Sequence, residues 1–156
     1  MESEPHPISI ENRSSSRLPR GPLTVFASKV RSAVRLKGDV SILITSNAEL
    51  QRLNREFRGK NKPTDVLSFP SDIRGYAGDI AISAEIARSS ARERGLTLTE
   101  ETKVLILHGM LHLAGYDHET DDGRMARKEQ LLRRRFGLAE SLIARANGHL
   151  GRKAKR

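Results

Sequence analysis

Apolar and polar positions alternate along the chain with two periods, and the changes of period mark its elements. Ile8-Ser9-Ile10 alternates like an edge strand, and Arg13-Ser14-Ser15-Ser16-Arg17 behind it has the composition of a loop. Val25, Phe26, Val30, Ala33 and Val34 recur at helical spacing after Pro22, a residue suited to a first helical position, and predict an amphipathic helix that stops near Gly38. Residues 40–44 read as a buried strand. Ser46 and Glu49 then have capping-box spacing for a helix over 47–57 that delivers Arg58 at its end. Strands are expected at 64–69 and 78–83, and Ser83 can cap a helix that runs to Arg94. Thr99 can cap the next helix, with Glu100 and Glu101 in its first turn complementing the helix dipole, and the apolar content of 104–114 implies burial on most sides. Thr120, Asp121 and Asp122 open a further helix that turns Met125, Leu132 and Phe136 inward and Arg127, Arg134 and Arg135 outward or along its flank. A short helix after Gly137 would end at 146. The pattern describes one α+β domain over 1–146, a small mixed β-sheet packed with helices, followed by a mobile basic tail over 147–156.

Composition changes this picture in three places. At 156 residues the chain is long enough for one core and gives no sign of a second. The first twenty residues hold no apolar run, so neither a signal peptide nor a membrane span is expected, and the absence of cysteine is compatible with a reducing cytoplasm. The net charge of +9 is unevenly placed: residues 124–156 hold 11 Lys and Arg against Glu129 and Glu140, leaving 17 of each sign upstream. A basic C-terminal arm suits a polyanionic partner, because each phosphate contact releases condensed counterions. From charge alone, a solvated helix face with a disordered tail fits equally well.

The chemistry concentrates in one stretch, where His108, His112 and His118 are three of the five histidines in the chain. On a helix, His108 and His112 are one turn apart and project both imidazoles toward one point. Gly115 can take the left-handed conformation that ends a helix, and the turned chain could bring His118 back beside them. Three imidazoles with an open fourth position describe a catalytic zinc site better than a structural one, although copper or nickel would also suit such a donor set. The spacing H-x3-H-x2-G-x2-H is that of the metzincin peptidases, and it suggests a zincin-like metal-bearing helix. Position 109, where those enzymes carry their glutamate base, is glycine here, which disfavours peptide hydrolysis by that route. Either close backbone packing or room for a substrate would account for a glycine inside this helix. Asp79 could orient a histidine from behind or could be a turn residue.

The string H-G-M-L-H-L-A-G-Y-D-H over 108–118 resembles the signature of the YbeY family of bacterial endoribonucleases, the rRNA maturation factors. N-R-E-F-R-G-K-N-K-P-T-D-V-L-S-F-P over 54–70 and G-D-I-A-I-S over 78–83 are similar to the family's patterns in the same order, so the resemblance spans about 39–136. It implies a single-strand-specific endoribonuclease acting on rRNA precursors, in 16S 3′-end maturation and ribosome quality control. One Zn2+ per chain would be held by His108, His112 and His118. Ribosomal RNA and the small ribosomal subunit would be its partners, with ribosome-assembly proteins as further ones, in the cytoplasm and away from membranes. The family's catalytic arginine matches Arg58. Lys60 and Lys62, on the same basic loop, could add contacts to substrate phosphate. No general base is evident, and the nucleophile, water or the RNA 2′-hydroxyl, stays open. A rival from another class is a non-catalytic assembly factor that binds RNA through its basic arm around a structural metal. A metzincin-like peptidase ranks behind both.

Overall fold

The computed structural model describes residues 7–61, 64–117 and 120–138. Lys62, His118, the short helix expected to end at 146 and the basic tail at 147–156 lie outside the described residues.

The four strands are β1 (Ile8–Asn12), β2 (Asp39–Thr45), β3 (Val66–Pro70) and β4 (Tyr76–Ser83). They form one mixed sheet in the order β1-β2-β4-β3, with β1–β2 and β2–β4 parallel and β3–β4 antiparallel. Five helices accompany them: α1 (Arg20–Ala33), α2 (Asn47–Arg58), α3 (Ala84–Arg94), α4 (Leu98–Leu113) and α5 (Arg124–Arg135). This is the expected α+β fold with a small mixed sheet.

Side chains alternate across the strands and sort the helices into two layers. Val40, Ile42 and Ile44 of β2 and Ile80 and Ile82 of β4 belong to the main core with Leu23 and Val30 of α1 and Leu107 and Leu111 of α4. Leu67 and Ala81 point the other way and form a smaller core with Leu50 of α2. The edge strand β3 thus has α4 on one face and α2 on the other.

Helix α4 is apolar on almost every side, with buried residues at 101, 102, 104–111 and 113. Its mid-helix glycine has a packing reason. A Cβ on Gly109 would stand 2.9 Å from Ile80 Cγ2, so the helix can approach β4 this closely only with hydrogen at that position. Of the two reasons open from sequence, close packing is the one found.

Several boundaries differ from expectation. The cap of α4 is Thr97, not Thr99: the Thr97 hydroxyl accepts from the Glu100 N–H, and the Glu100 carboxylate accepts from the Thr97 N–H, a reciprocal pair that Thr99 cannot make. Helix α1 begins at Arg20, ahead of Pro22, and stops at Ala33 rather than near Gly38. Arg35 turns left-handed at φ 57°, and the Leu36 N–H returns to the Arg31 carbonyl. Helix α5 starts at Arg124, because Asp121 accepts from the N–H groups of Gly123 and Met125 and thereby closes the preceding turn.

Candidate metal centre

The histidine pair is built by the middle of α4. Residues four apart on a helix are neighbours, and His108 Nε2 and His112 Nε2 face each other at 3.2 Å. Their rings meet edge to face, with centroids 4.8 Å apart. Two imidazole nitrogens each about 2.0–2.1 Å from a tetrahedral ion would be separated by about 3.3 Å, so the observed spacing fits a shared metal.

What stands behind the pair strengthens that fit. Glu129 of α5 is completely buried, and its Oε1 lies 3.4 Å from His108 Nδ1. A buried carboxylate needs a polar partner, and a metal-bound histidine normally gives its second ring N–H to one. With Nδ1 as the donor to Glu129, the lone pair of His108 sits on Nε2, the atom that faces His112. Sequence reasoning missed Glu129, counting it only as a negative charge among the cations of the arm. It does lie at the i+4 position from Met125 and three before Leu132, on the apolar stripe of α5, which is the signal that marks it as inward-facing.

Asp79 is not the carboxylate behind a histidine. It alternates with buried Ile80 on β4, faces the α2 side of the sheet and accepts a hydrogen bond from the Tyr76 hydroxyl. Burial, followed by that hydrogen bond, raises the Tyr76 pKa above its ordinary value. Asp79 there lines a groove of about 420 Å³ together with Ser41, Leu43, Phe57 and Phe69.

Gly115 ends α4 at φ 98°, as expected. Its N–H returns to the His112 carbonyl, and the N–H of Tyr116 returns to Leu111, a Schellman closure that reverses the chain directly behind the second histidine. The chain is described as far as Asp117, one residue short of His118.

Arg58 is the last residue of α2 and is exposed. Two carbonyls near this helix end are covered by backbone groups, since the N–H groups of Gly59 and Lys60 return to Arg55 and Asn54. Arg58 takes no part in that closure, and it forms no ion pair among the described residues. The neighbouring Arg52, by contrast, is tied to Glu49 and Glu56. Arg58 and the histidines approach the sheet from opposite faces with β3 between them. On the α2 side Phe57 packs edge to face on Phe69 at 5.8 Å. On the α4 side the Ser68 hydroxyl donates to the Gly109 carbonyl at 3.2 Å. The structure thus brings His108 and His112 together, leaves Arg58 and Lys60 at the exposed end of α2, and sets both groups around one edge strand.

Comparison with known proteins agrees with this architecture. The profile of the family described as Endoribonuclease YbeY matches residues 3–137. A protein named Endoribonuclease YbeY from Koribacter versatilis is 51% identical over 134 residues, covering 86% of this chain and 88% of the relative. Another of that name from Solibacter usitatus is 48% identical over 133 residues, covering 85% and 90%. The solution structure of TM1509 from Thermotoga maritima superposes with a TM-score of 0.54 at 33% identity, covering 78% of this chain and 83% of that one. The match to the family profile across nearly all described residues, with the paired histidines and the sheet in place, shows that the chain belongs to the YbeY endoribonuclease family.

Proposed function

We propose that the chain is a zinc-dependent, single-strand-specific endoribonuclease that processes ribosomal RNA precursors, including 16S 3′-end maturation, in the cytoplasm. The observation that carries the reading is the pair of Nε2 atoms 3.2 Å apart with a buried carboxylate behind one of them. The resemblance of 108–118 to the family signature assigns the third imidazole to His118, three residues after the left-handed Gly115. Neutral imidazoles without thiolate favour zinc among the metals that such a site accepts.

Each residue has a separate task. His108 and His112 present Nε2 lone pairs from one rigid helix, and Glu129 holds the Nδ1 proton of His108, so its ring cannot rotate or change tautomer without losing that partner. When bound, the metal supplies Lewis acidity toward a phosphoryl oxygen. The guanidinium of Arg58 offers a planar fork to the non-bridging oxygens of the scissile phosphate and neutralises the charge that grows there. Lys60 and Lys62 extend the same positive field along the RNA backbone. The small ribosomal subunit and its assembly proteins are the partners such a substrate brings with it.

A peptidase role is opposed by Gly109, whose position faces Ile80 and leaves no space for a glutamate. The deciding experiment incubates purified, metal-analysed protein with an rRNA precursor and with casein, beside a His112→Ala control. RNA cleavage that disappears in the control is the expected result. RNA binding without cleavage in the metal-loaded protein would favour the assembly-factor reading instead. The new ends also identify the nucleophile: a 5′-phosphate marks attack by water, and a 2′,3′-cyclic phosphate marks attack by the 2′-hydroxyl.

A further inference from the structure

Helices α2, α3, α4 and α5 are each followed by a left-handed glycine, at Gly59, Gly95, Gly115 and Gly137. Helix α1 differs, with Arg35 in the same conformation at φ 57°. A side chain in this region is strained where glycine is not, so an arginine there calls for a reason. Packing does not supply one, because Arg35 is exposed and its only hydrogen bond among the described residues is from its backbone N–H to Ser32.

Arg35 lines a cavity of about 600 Å³ between α1 and the end of α5. Lys29 and Arg135 are the other cations of its wall, and no carboxylate lines it among the described residues. These three cations form no ion pair among the described residues. Val25, Ala33 and Phe136 add apolar surface, and the hydroxyls of Ser28 and Ser32 add hydrogen-bonding groups. The Phe136 ring is held in place by an edge-to-face contact with Phe26 at 5.7 Å, and the Arg135 guanidinium lies 5.7 Å from its centroid.

We propose that this cavity is a second RNA-contact site, which seats one nucleotide of a single strand with its base on the apolar surface and its phosphate among Lys29, Arg35 and Arg135. The inference rests on the endoribonuclease reading and adds to it a place where the substrate is held away from the cleaved bond. The pairing of aromatic and aliphatic surface with unpaired cations is what sequence-independent binding of single strands requires, since every base has a face to stack and every phosphate a charge to neutralise. An acidic peptide would use the cations and leave the apolar surface idle. Helix α5 carries Glu129 to His108 and Arg135 to the cavity, six residues or roughly 9 Å further along its axis.

The test measures affinity for a short single-stranded RNA against salt concentration, using the full chain. Arg35→Gly should weaken binding while the thermal midpoint holds or rises, a combination that a purely structural arginine would not give. Combining it with Lys29→Gln and Arg135→Gln should flatten the slope of log affinity against log salt by about 2 units and leave metal content unchanged. Unaltered slope and affinity in the triple variant, with the parent protein binding RNA normally, would overturn this site alone. A parent protein that neither binds nor cleaves RNA would overturn it together with the endoribonuclease reading. Loss of poly-glutamate binding in the triple variant, with RNA binding intact, would reassign the cavity to an acidic protein partner and likewise overturn the proposal.

Discussion

Gly109 lies so close to Ile80 that a methyl group at position 109 would come within 2.9 Å of Ile80 Cγ2 and 3.0 Å of its Cδ1. Ile80 is fully buried between α4 and the sheet and has little freedom to give way. Replacing a helical glycine with alanine ordinarily gains about 1 kcal/mol, but overpacking a core costs about 1–3 kcal/mol. Gly109→Ala should therefore destabilise the protein, and Ile80→Val in the same chain should recover part of the loss by removing Cδ1. Denaturant titration of the single and double variants checks this. A stabilised Gly109→Ala would show that the helix can lift from the sheet at no net expense.

Glu129→Gln keeps the shape of the buried side chain and removes its charge. It should lower metal affinity by about 10–100-fold, because His108 loses the carboxylate that fixes its second nitrogen. Competition against a chelator of known affinity measures the change, and proton–nitrogen NMR of the imidazoles reads the tautomer directly. Unaltered affinity and an unaltered tautomer would reduce Glu129 to a packing residue.

Arg58→Ala should abolish cleavage while the thermal midpoint and metal content stay at parent values, since its side chain neither caps α2 nor pairs with a carboxylate among the described residues. Arg58→Lys should rescue poorly, because a single ammonium cannot reproduce the planar fork. Cleavage kinetics beside a melting curve separates this from a structural role, which would move the midpoint instead.

The histidine pair, the glycine that ends its helix and the order of strands and helices were legible in the sequence because each is a local pattern of spacing. Glu129 was harder to read, since a glutamate between cations on an exposed-looking helix gives its direction only through the stripe of Met125 and Leu132. Asp79 stayed open in the sequence for the converse reason: a place beside the metal depended on which face of β4 it occupies, and the burial of Ile80 decides that. Thr97 and Thr99 both precede acidic residues, and only the reciprocal contact with Glu100 tells the cap from its neighbour. Arg35 had no sequence signal, because the helix is expected to stop near Gly38 and an arginine does not by itself mark a left-handed turn.

The cap of α4 gives a pH-dependent prediction. The Thr97 backbone N–H, and then its hydroxyl, hold the Glu100 carboxylate below its ordinary pKa of 4.5. A carboxylate lowered by folding contributes stability that is complete above its unfolded value and is lost as pH falls through the lowered folded value. The stability difference between the parent and Glu100→Gln should therefore be present at neutral pH and shrink in acid, below about pH 4. Thr97→Ala should cost about 1 kcal/mol at neutral pH. Chemical denaturation at both pH values checks the pair, and a difference that grew in acid would contradict the assigned direction.

Both histidines ride on one helix, so the backbone sets their side chains next to each other before any ion arrives. Small zinc modules fold only when loaded, because their ligands come from segments that nothing else holds together. Here the donor pair rides on a helix whose apolar side chains pack into the main core, and circular dichroism after chelation should retain the helical signal. A cell starved of metal would then keep a stock of folded, silent protein that regains activity when supply returns, with no need for new synthesis.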